Sequence, residues 1–193
     1  MSVYIINGAP GAGKSTFCEK VRDIVGKNWS FELSTVDLVK QIATDLGWNG
    51  EKTLKDRKFL SDLKGLLAEW DDIPFKDTVK KVKLIKDEFE RYDLDFNEAA
   101  IFINCREPEE IQRLCVELNA KSILVSRESA EDAAVSNHSD ANVLKYEYDI
   151  VIYNNGTLKD LVYRALDFID IEELHINPYK NLKIDDFGNV CYN

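Results

Sequence analysis

Residues 8–16 read Gly8-Ala9-Pro10-Gly11-Ala12-Gly13-Lys14-Ser15-Thr16 and match the pattern G-x-x-x-x-G-K-[ST]. The glycines allow backbone N–H groups to turn inward and to approach an anion closely. The apolar run SVYIIN at residues 2–7 precedes this stretch, and the helical pattern KSTFCEKVRDIV at residues 14–25 follows it. A strand, this loop and a helix in that order predict a phosphate-binding loop, or P-loop.

The motif also indicates what the loop binds. A helix that starts at Lys14 directs the positive end of its dipole at the bound anion. The Lys14 amine is expected to reach the β- and γ-phosphates of ATP, and the Ser15 hydroxyl is expected to be a Mg²⁺ ligand. We therefore expect ATP and Mg²⁺ to bind here, with residues 8–16 forming the nucleotide site.

The rest of the chain predicts an α/β protein. Short apolar or alternating runs indicate strands at 2–7, 30–35, 99–105, 122–126 and 149–153. Helical periodicity indicates helices at 14–25, 36–46, 52–70, 77–91, 108–118 and 157–169. Several strands are apolar on both faces, as parallel strands between helices must be. The expected architecture is the P-loop NTP hydrolase fold, with a parallel sheet of about five strands flanked by helices.

The 193 residues fit a single domain with two additions. We assign the core to 1–47, 98–126 and 147–170, a helical acceptor-binding insert to 48–97, and a lid to 127–146. The insert is too long for a simple crossover, so it is interpreted as a flap over the acceptor. The lid would exclude water from the phosphates. The tail 171–193 contains a predicted hairpin at 182–191, with Gly188 in its turn.

Composition excludes several classes of protein. The net charge of −10 disfavours nucleic acid and anionic membranes as partners. The four cysteines form no C-x-x-C pair, which excludes a zinc ribbon, and no apolar run approaches the ~20 residues of a membrane span. His138 and His175 lack metal-ligand spacing and are expected at the surface. With free thiols and no signal peptide, the expected location is cytoplasmic.

Charged residues after the predicted strands are candidates for catalysis. Asp37 follows the second strand and should lie near the P-loop, because strand carboxyl ends form the ligand crevice of such sheets. It would hold hydrated Mg²⁺ or accept the substrate proton; the alternative is a capping or first-turn acid of the next helix. Arg106 and Arg127 also follow strands and are expected to stabilise the charge of phosphoryl transfer.

The predicted insert carries a group of cations: Lys52, Lys55, Arg57, Lys58 and Lys64. Arg57 is the candidate to bind an acceptor carboxylate or phosphate in a bidentate manner. The alternative is a solvated helix face on which these cations alternate with Asp56 and Asp62.

Two absences narrow the type of P-loop protein. None of the later strands ends in the Asp or Glu that usually holds Mg²⁺ in hydrolytic ATPases. No N-K-x-D string for reading guanine occurs, so a GTPase is the weakest interpretation. Together with the insert and the lid, this favours a small-molecule kinase.

Five segments carry a resemblance to a known family: INGAPGAGKST (6–16), STVDLVKQIATDLGW (34–48), DRKFLSDLK (56–64), IFINCREPEEIQRL (101–114) and YDIVIYNNGTLKDL (148–161). Over residues 2–170 the chain resembles the nucleoside monophosphate kinase group of P-loop kinases. It is most similar to the phage-type deoxynucleoside monophosphate kinases and their bacterial relatives. Only the first segment is a specific motif.

The resemblance implies ATP, Mg²⁺, a five-stranded core, an acceptor-binding insert and a mobile lid. It implies that the loop from Asn154 through Thr157, with Gly156 in it, lies against the adenine, and that Arg57, Arg106 and Arg127 hold the acceptor and the transferring phosphates. Two features depart from the family pattern: residues 128–145 contain no arginine, and the tail beyond Ile169 has no counterpart. The tail is interpreted as a surface for homodimer formation or as a regulatory cap.

The expected function is therefore transfer of the γ-phosphate of ATP to a small molecule, with a (deoxy)nucleoside monophosphate as the leading acceptor. Other acceptors remain open: a nucleoside, a coenzyme precursor or a phosphorylated metabolite would suit the same fold. A sensor or assembly protein that binds nucleotide without efficient turnover is the third alternative.

Overall fold

The computed structural model describes residues 3–130, 146–176 and 182–192. Five strands form one parallel sheet in the order β2-β3-β1-β4-β5. They are β1 (Val3–Asn7), β2 (Ser30–Ser34), β3 (Ala100–Asn104), β4 (Lys121–Ser126) and β5 (Ile150–Tyr153). The helices are α1 (Lys14–Val25), α2 (Asp37–Asp45), α3 (Leu54–Asp71), α4 (Ile73–Arg91), α5 (Pro108–Leu118) and α6 (Leu158–Ile171). The predicted α/β fold with its five-stranded parallel sheet is confirmed.

Strand β1 occupies the middle of this sheet. It pairs with β3 on one side and with β4 on the other, and every residue of β1 is buried. Tyr4 and Ile6 belong to one core cluster, whereas Val3 and Ile5 belong to a second cluster, because successive side chains point to opposite faces. The sheet order therefore changes direction at the strand that leads into the P-loop, and ligand crevices of open α/β sheets form at such points.

Helices cover both faces of the sheet. Helices α1 and α6 pack on the Tyr4 face, where Tyr4, Phe17, Phe102 and Phe168 form a group of aromatic rings. Residues of α4 and α5 pack on the Val3 face. Burial on both sides explains why the strands read as continuous apolar runs.

The predicted insert contains a pair of helices, α3 and α4, joined at Asp72 in the left-handed conformation. Helix α4 buries residues of one stripe against the core, but α3 has no buried residue. The predicted start of the second helix at residue 77 is wrong, because α4 begins at Ile73 and includes Pro74 in its first turn. Proline suits that position, where its missing N–H would have had no helical partner.

The tail forms the predicted hairpin, with β6 (Leu182–Ile184) antiparallel to β7 (Val190–Tyr192). The expectation that His175 is a surface residue is wrong. Its ring stacks on that of Trp29 with 4.0 Å between the ring centroids, and its Nδ1 lies 3.0 Å from Glu98 Oε2. Aromatic stacking and a carboxylate partner hold this side chain, which sequence spacing alone does not reveal. His138 lies outside the described residues.

None of the helices in the described parts of the chain combines the length and the apolar character that crossing a membrane requires.

Candidate functional site

The P-loop leaves the carboxyl end of β1 and enters α1 at Lys14. Asn7 fixes the entry, because its Oδ1 accepts the Gly8 N–H at 2.8 Å while its Nδ2 donates to the Tyr148 hydroxyl at 2.9 Å. Burial raises the pKa of Tyr148 to about 12, so the phenol stays neutral. Within the loop, the Ala12 N–H donates to the Ala9 carbonyl at 3.1 Å. The loop therefore has a defined shape before α1 begins.

Asn154, directly after β5, braces the other side of the loop. Its side chain is buried, and Nδ2 donates to the Ala12 carbonyl at 2.8 Å. A Cβ on residue 13 would lie 2.4 Å from that Nδ2, and Gly13 adopts φ +98°. Glycine is required at residue 13 for both reasons, since a side chain would push Asn154 away and strain the backbone.

A cavity of about 530 Å³ opens beside the loop. Its lining comprises Gly11, Gly13, Lys14, Ser15, Thr16, Arg127, Asn154, Gly156, Thr157, Leu158 and Leu161. Lys14 and Arg127 are the charged members of this described lining, which contains no carboxylate. In a chain of net charge −10, two cations and the start of a helix create a local positive potential that favours a polyphosphate.

The Lys14 amine lies over the P-loop itself. Nζ donates to the Gly8 carbonyl at 2.6 Å and to the Ala9 carbonyl at 3.1 Å. These contacts hold the charge at the mouth of the loop, where phosphate oxygens bound by the backbone N–H groups would meet it.

Most of the predicted nucleotide residues meet at the cavity. They are Gly11, Gly13, Lys14, Ser15, Thr16, Asn154 and Gly156, and Arg127 from the predicted catalytic set joins them. Gly8, Ala9, Pro10 and Ala12 complete the loop without lining the cavity. The Asn154 side chain is hydrogen-bonded to the P-loop, a contact that the sequence did not reveal.

Three other predicted site residues lie outside this lining. Asp37 starts α2, and its Oδ2 accepts the Ser34 N–H at 2.7 Å, which is the contact of a first-turn acid. Arg106 follows β3 with an exposed side chain, and its carbonyl accepts from Asn7 Nδ2 at 3.3 Å. Arg57 is exposed on α3, where Nε donates to the Lys52 carbonyl at 3.2 Å.

A second cluster of polar side chains connects the insert to the carboxyl edge of the sheet. Lys64 on α3 places Nζ 2.6 Å from Glu110 Oε2 and 3.4 Å from Thr35 Oγ1. The same Glu110 oxygen accepts from Thr35 Oγ1 and from Cys105 Sγ, each at 3.3 Å. Burial and the neighbouring Glu110 carboxylate raise the pKa of the Cys105 thiol well above its usual range, so the thiol remains a donor.

Sequence reasoning missed this Lys64–Glu110 cluster, although one signal was available. Lys64 lies on the helix face of Leu60, Leu63 and Leu67, which is the better buried face of α3. A lysine on an apolar stripe at that spacing needs a partner.

The start of the predicted lid is attached to the loop after β5. Asn155 Oδ1 accepts the Glu128 N–H at 3.0 Å, and Asn155 Nδ2 donates to Glu128 Oε1 at 3.0 Å. This pairing places Arg127 at the cavity beside Gly156. Residues 131–145 of the predicted lid lie outside the described residues.

The residues at the loop fit ATP with Mg²⁺. Magnesium bound with nucleotides takes ligands from the phosphates and water, so few protein ligands are needed. Ser15 presents a hydroxyl to the cavity. Among the described residues, no group of three or more His, Cys, Asp or Glu forms a separate metal site. The Ser15 hydroxyl, together with phosphate oxygens and water, would supply the ligands that such an ion needs.

Comparison with known proteins finds likeness only among solved structures. No family model matches the chain, and no curated protein matches its sequence. The dephospho-CoA kinase of Campylobacter jejuni is 17% identical with a TM-score of 0.48, covering 89% of this chain and 97% of that one. The APS kinase of Mycobacterium tuberculosis, solved with AMPPNP and APS, is 12% identical with a TM-score of 0.42 over the same shares.

A sugar kinase from Janibacter is 19% identical with a TM-score of 0.42, covering 92% of this chain and 99% of that one. With TM-scores below 0.5, these likenesses support no conclusion about this chain. Its fold is established by its own strand order.

Proposed function

We propose that this protein is an ATP- and Mg²⁺-dependent phosphotransferase that moves the γ-phosphate to a small molecule, with a (deoxy)nucleoside monophosphate as the acceptor. The observation that carries the proposal is the cavity at the P-loop, whose charged lining residues are Lys14 and Arg127. Its position at the carboxyl edge of a parallel sheet is the usual place for a phosphate ligand.

The residues at the cavity would divide the work. The P-loop N–H groups bind the phosphates, and Lys14 neutralises charge on the β- and γ-phosphates. Arg127, which also lines the cavity, would stabilise the charge that develops during transfer. Mg²⁺, held by Ser15 and the phosphates, would withdraw charge from the leaving group. The acceptor oxygen forms a bond to the γ-phosphorus as the bond to the β-phosphate oxygen breaks, which releases ADP.

The acceptor would bind on the insert side of the crevice. Arg57 supplies a planar donor for a phosphate there, and Arg106 stands at the end of β3. Asp37 would orient the acceptor or accept its proton, after release of its present hydrogen bond to Ser34. We propose further that the chain acts in the cytoplasm, and that the tail residues 171–193 support a homodimer or a regulatory contact.

A nucleotide-binding sensor without efficient turnover is the second candidate. One observation favours it: the described lining of the cavity holds no carboxylate, and the nearby candidate Asp37 is bound to a backbone N–H. Such a protein would bind ATP through the same loop.

The decisive experiment measures ADP formation from Mg·ATP with a panel of acceptors. The panel contains ribo- and deoxynucleoside monophosphates, nucleosides and small phosphorylated metabolites, and the Lys14→Ala variant is the control. Acceptor-dependent ADP from a nucleoside monophosphate supports the proposal. Activity with another compound class would replace the acceptor but keep the kinase. ATP binding without ADP from any acceptor would favour the sensor.

A further inference from the structure

The C-terminal hairpin lies against the start of α6, next to the nucleotide cavity. Gly188 is buried in its turn, and a Cβ there would lie 2.9 Å from the Lys159 nitrogen and 3.0 Å from the Leu158 carbonyl carbon. Leu158 itself lines the cavity. The hairpin turn and the cavity therefore share the first turn of α6 as their common wall.

Asp185 gives this turn a fixed shape. Its Oδ1 accepts the N–H groups of Phe187 at 2.9 Å and Asn189 at 2.8 Å, and its Oδ2 accepts from Asn189 Nδ2 at 2.7 Å. The hydrogen bond from the Asn189 side chain lowers the pKa of Asp185 most, and the bonds from the backbone N–H groups lower it further. The carboxylate therefore stays charged at neutral pH. A turn with this many internal bonds positions its side chains with little freedom.

Two further contacts dock the hairpin on the core. Lys159 Nζ lies 3.0 Å from Asp186 Oδ1. Leu182, Ile184 and Val190 pack against the core cluster that α1 and α6 form with the sheet. The hairpin is thus docked on the core beside α6, the helix whose first turn lines the cavity.

Phe187 stands exposed on this docked turn, with 79% of its surface accessible. A lone exposed aromatic ring is common on protein surfaces. This one differs because it directly precedes Gly188, which packs against Leu158 and Lys159, and Leu158, 40% exposed, lines the cavity. Phe187 is not itself part of that lining, so its ring would meet a ligand that extends beyond Leu158. A cavity lined by Leu158 and Leu161 as well as by Lys14 and Arg127 matches a ligand with an apolar ring and a polyphosphate.

We propose that the hairpin turn forms the outer wall of the nucleobase subsite, with Phe187 packing against the base of the bound nucleoside triphosphate. The inference rests on the proposed function, since it assumes that ATP binds at the P-loop. It gives the C-terminal tail a role in nucleotide affinity. Because every base has an aromatic face, stacking on Phe187 contributes affinity without choosing among bases.

The test compares binding of Mg·ATP, Mg·GTP and inorganic tripolyphosphate to wild type and to Phe187→Ala, by calorimetry. Loss of stacking should weaken both nucleotides about tenfold. Tripolyphosphate has no base, so its affinity should change by less than twofold. Phe187→Tyr keeps the ring and should restore nucleotide binding. Tyr92→Ala is the matched control, because Tyr92 is also exposed, at 67%, but follows the end of α4 and is no part of the hairpin or of α6.

The outcomes separate this inference from the function beneath it. If Phe187→Ala binds ATP as tightly as wild type, the hairpin is no part of the base subsite, and the inference is wrong. If Phe187→Ala weakens the binding of tripolyphosphate as much as the binding of ATP, Phe187 acts on the fold and not on the base. That result also overturns the inference. If wild type binds neither ATP nor tripolyphosphate, the proposed function itself fails. Asp185→Ala is a second variant. It removes the hydrogen bonds that fix the turn, and it should cause part of the loss in nucleotide affinity that is expected for Phe187→Ala.

Discussion

The P-loop region and helix α3 are attached to the same sheet in opposite ways. The P-loop is held by the buried amide of Asn154, by Asn7, and by the start of α1. Helix α3 buries no residue and is joined to the sheet edge through Lys64 and Glu110, while the turn after it pairs Asp72 with Arg113. The comparison shows that the P-loop is held by hydrogen bonds from buried side chains, whereas α3 is held by half-buried leucines and a few polar contacts. In the proposed function these two regions are the nucleotide side and the acceptor side.

This difference has a consequence for dynamics. Regions with few buried apolar contacts open at lower free energy than the core of the same protein. We therefore expect α3 to move relative to the sheet more readily than the P-loop does. An acceptor that binds between α3 and the sheet would find a surface able to adjust to it.

The largest expected effect is on the nucleotide side. Lys14→Ala removes the cation at the phosphates, so acceptor-dependent turnover should fall about 100-fold or more. Steady-state ADP formation measures this. Lys27→Ala, an exposed lysine beyond the far end of α1, is the control and should retain wild-type rates. Full activity of the Lys14→Ala variant would mean that the P-loop has no role in the reaction.

Arg57→Ala should impair the use of the acceptor without changing the binding of ATP. Loss of a charge-assisted contact should reduce kcat/KM for the acceptor by about 10- to 100-fold, while the affinity for ATP stays within twofold. The exposed Lys58, paired with Asp62, offers the control Lys58→Ala. A fall in ATP affinity for Arg57→Ala would mean that the two sides are not separate.

Asn154→Ala tests whether the P-loop is held in advance. The change leaves the Ala12 carbonyl without its amide donor and opens a small void beside Gly13. We expect a loss of about 1–3 kcal/mol in the free energy of unfolding and a roughly tenfold weaker ATP affinity. Chemical denaturation and ATP titration measure these. Asn28→Ala, at an exposed asparagine in the turn before β2, is the control and should change both far less.

The smallest effect is expected at the Lys64–Glu110 pair. Lys64→Met keeps the packing of the stem but leaves Glu110 with only Thr35 and Cys105 as donors, so stability should fall by about 1–2 kcal/mol. A double-mutant cycle with Glu110→Gln should show coupling, together with a raised acceptor KM and unchanged ATP affinity. Additive effects would indicate that the pair does not attach α3 to the sheet.

The same comparison explains how far the sequence could predict the structure. The P-loop, the strands and the hairpin follow from local patterns, because glycine spacing and hydrophobic period are encoded in neighbouring residues. The bond from Asn154 to Ala12 joins residues 142 positions apart, and no local pattern encodes it. The Lys64–Glu110 pair and the stacking of His175 on Trp29 are long-range in the same way.

The predicted site residues show the same contrast between local patterns and long-range contacts. Arg127 reached the cavity because its place just after β4 fixes it at the carboxyl edge of the sheet. Arg57 lies on an exposed helix whose position depends on contacts that the sequence pattern does not specify. The predicted start at residue 77 misplaced α4, because the first turn of a helix accepts proline and Pro74 lies in that turn.

The central claim is that the cavity at Gly8–Thr16 is a preformed site for the triphosphate of ATP, and a binding titration tests it most directly. Mg·ATP and adenosine are titrated separately into the wild-type protein by calorimetry. We predict one Mg·ATP per chain and an affinity for adenosine at least tenfold weaker, because adenosine lacks the phosphates that the loop and Lys14 would hold. Absence of Mg·ATP binding, or equal affinity for adenosine, would contradict the account.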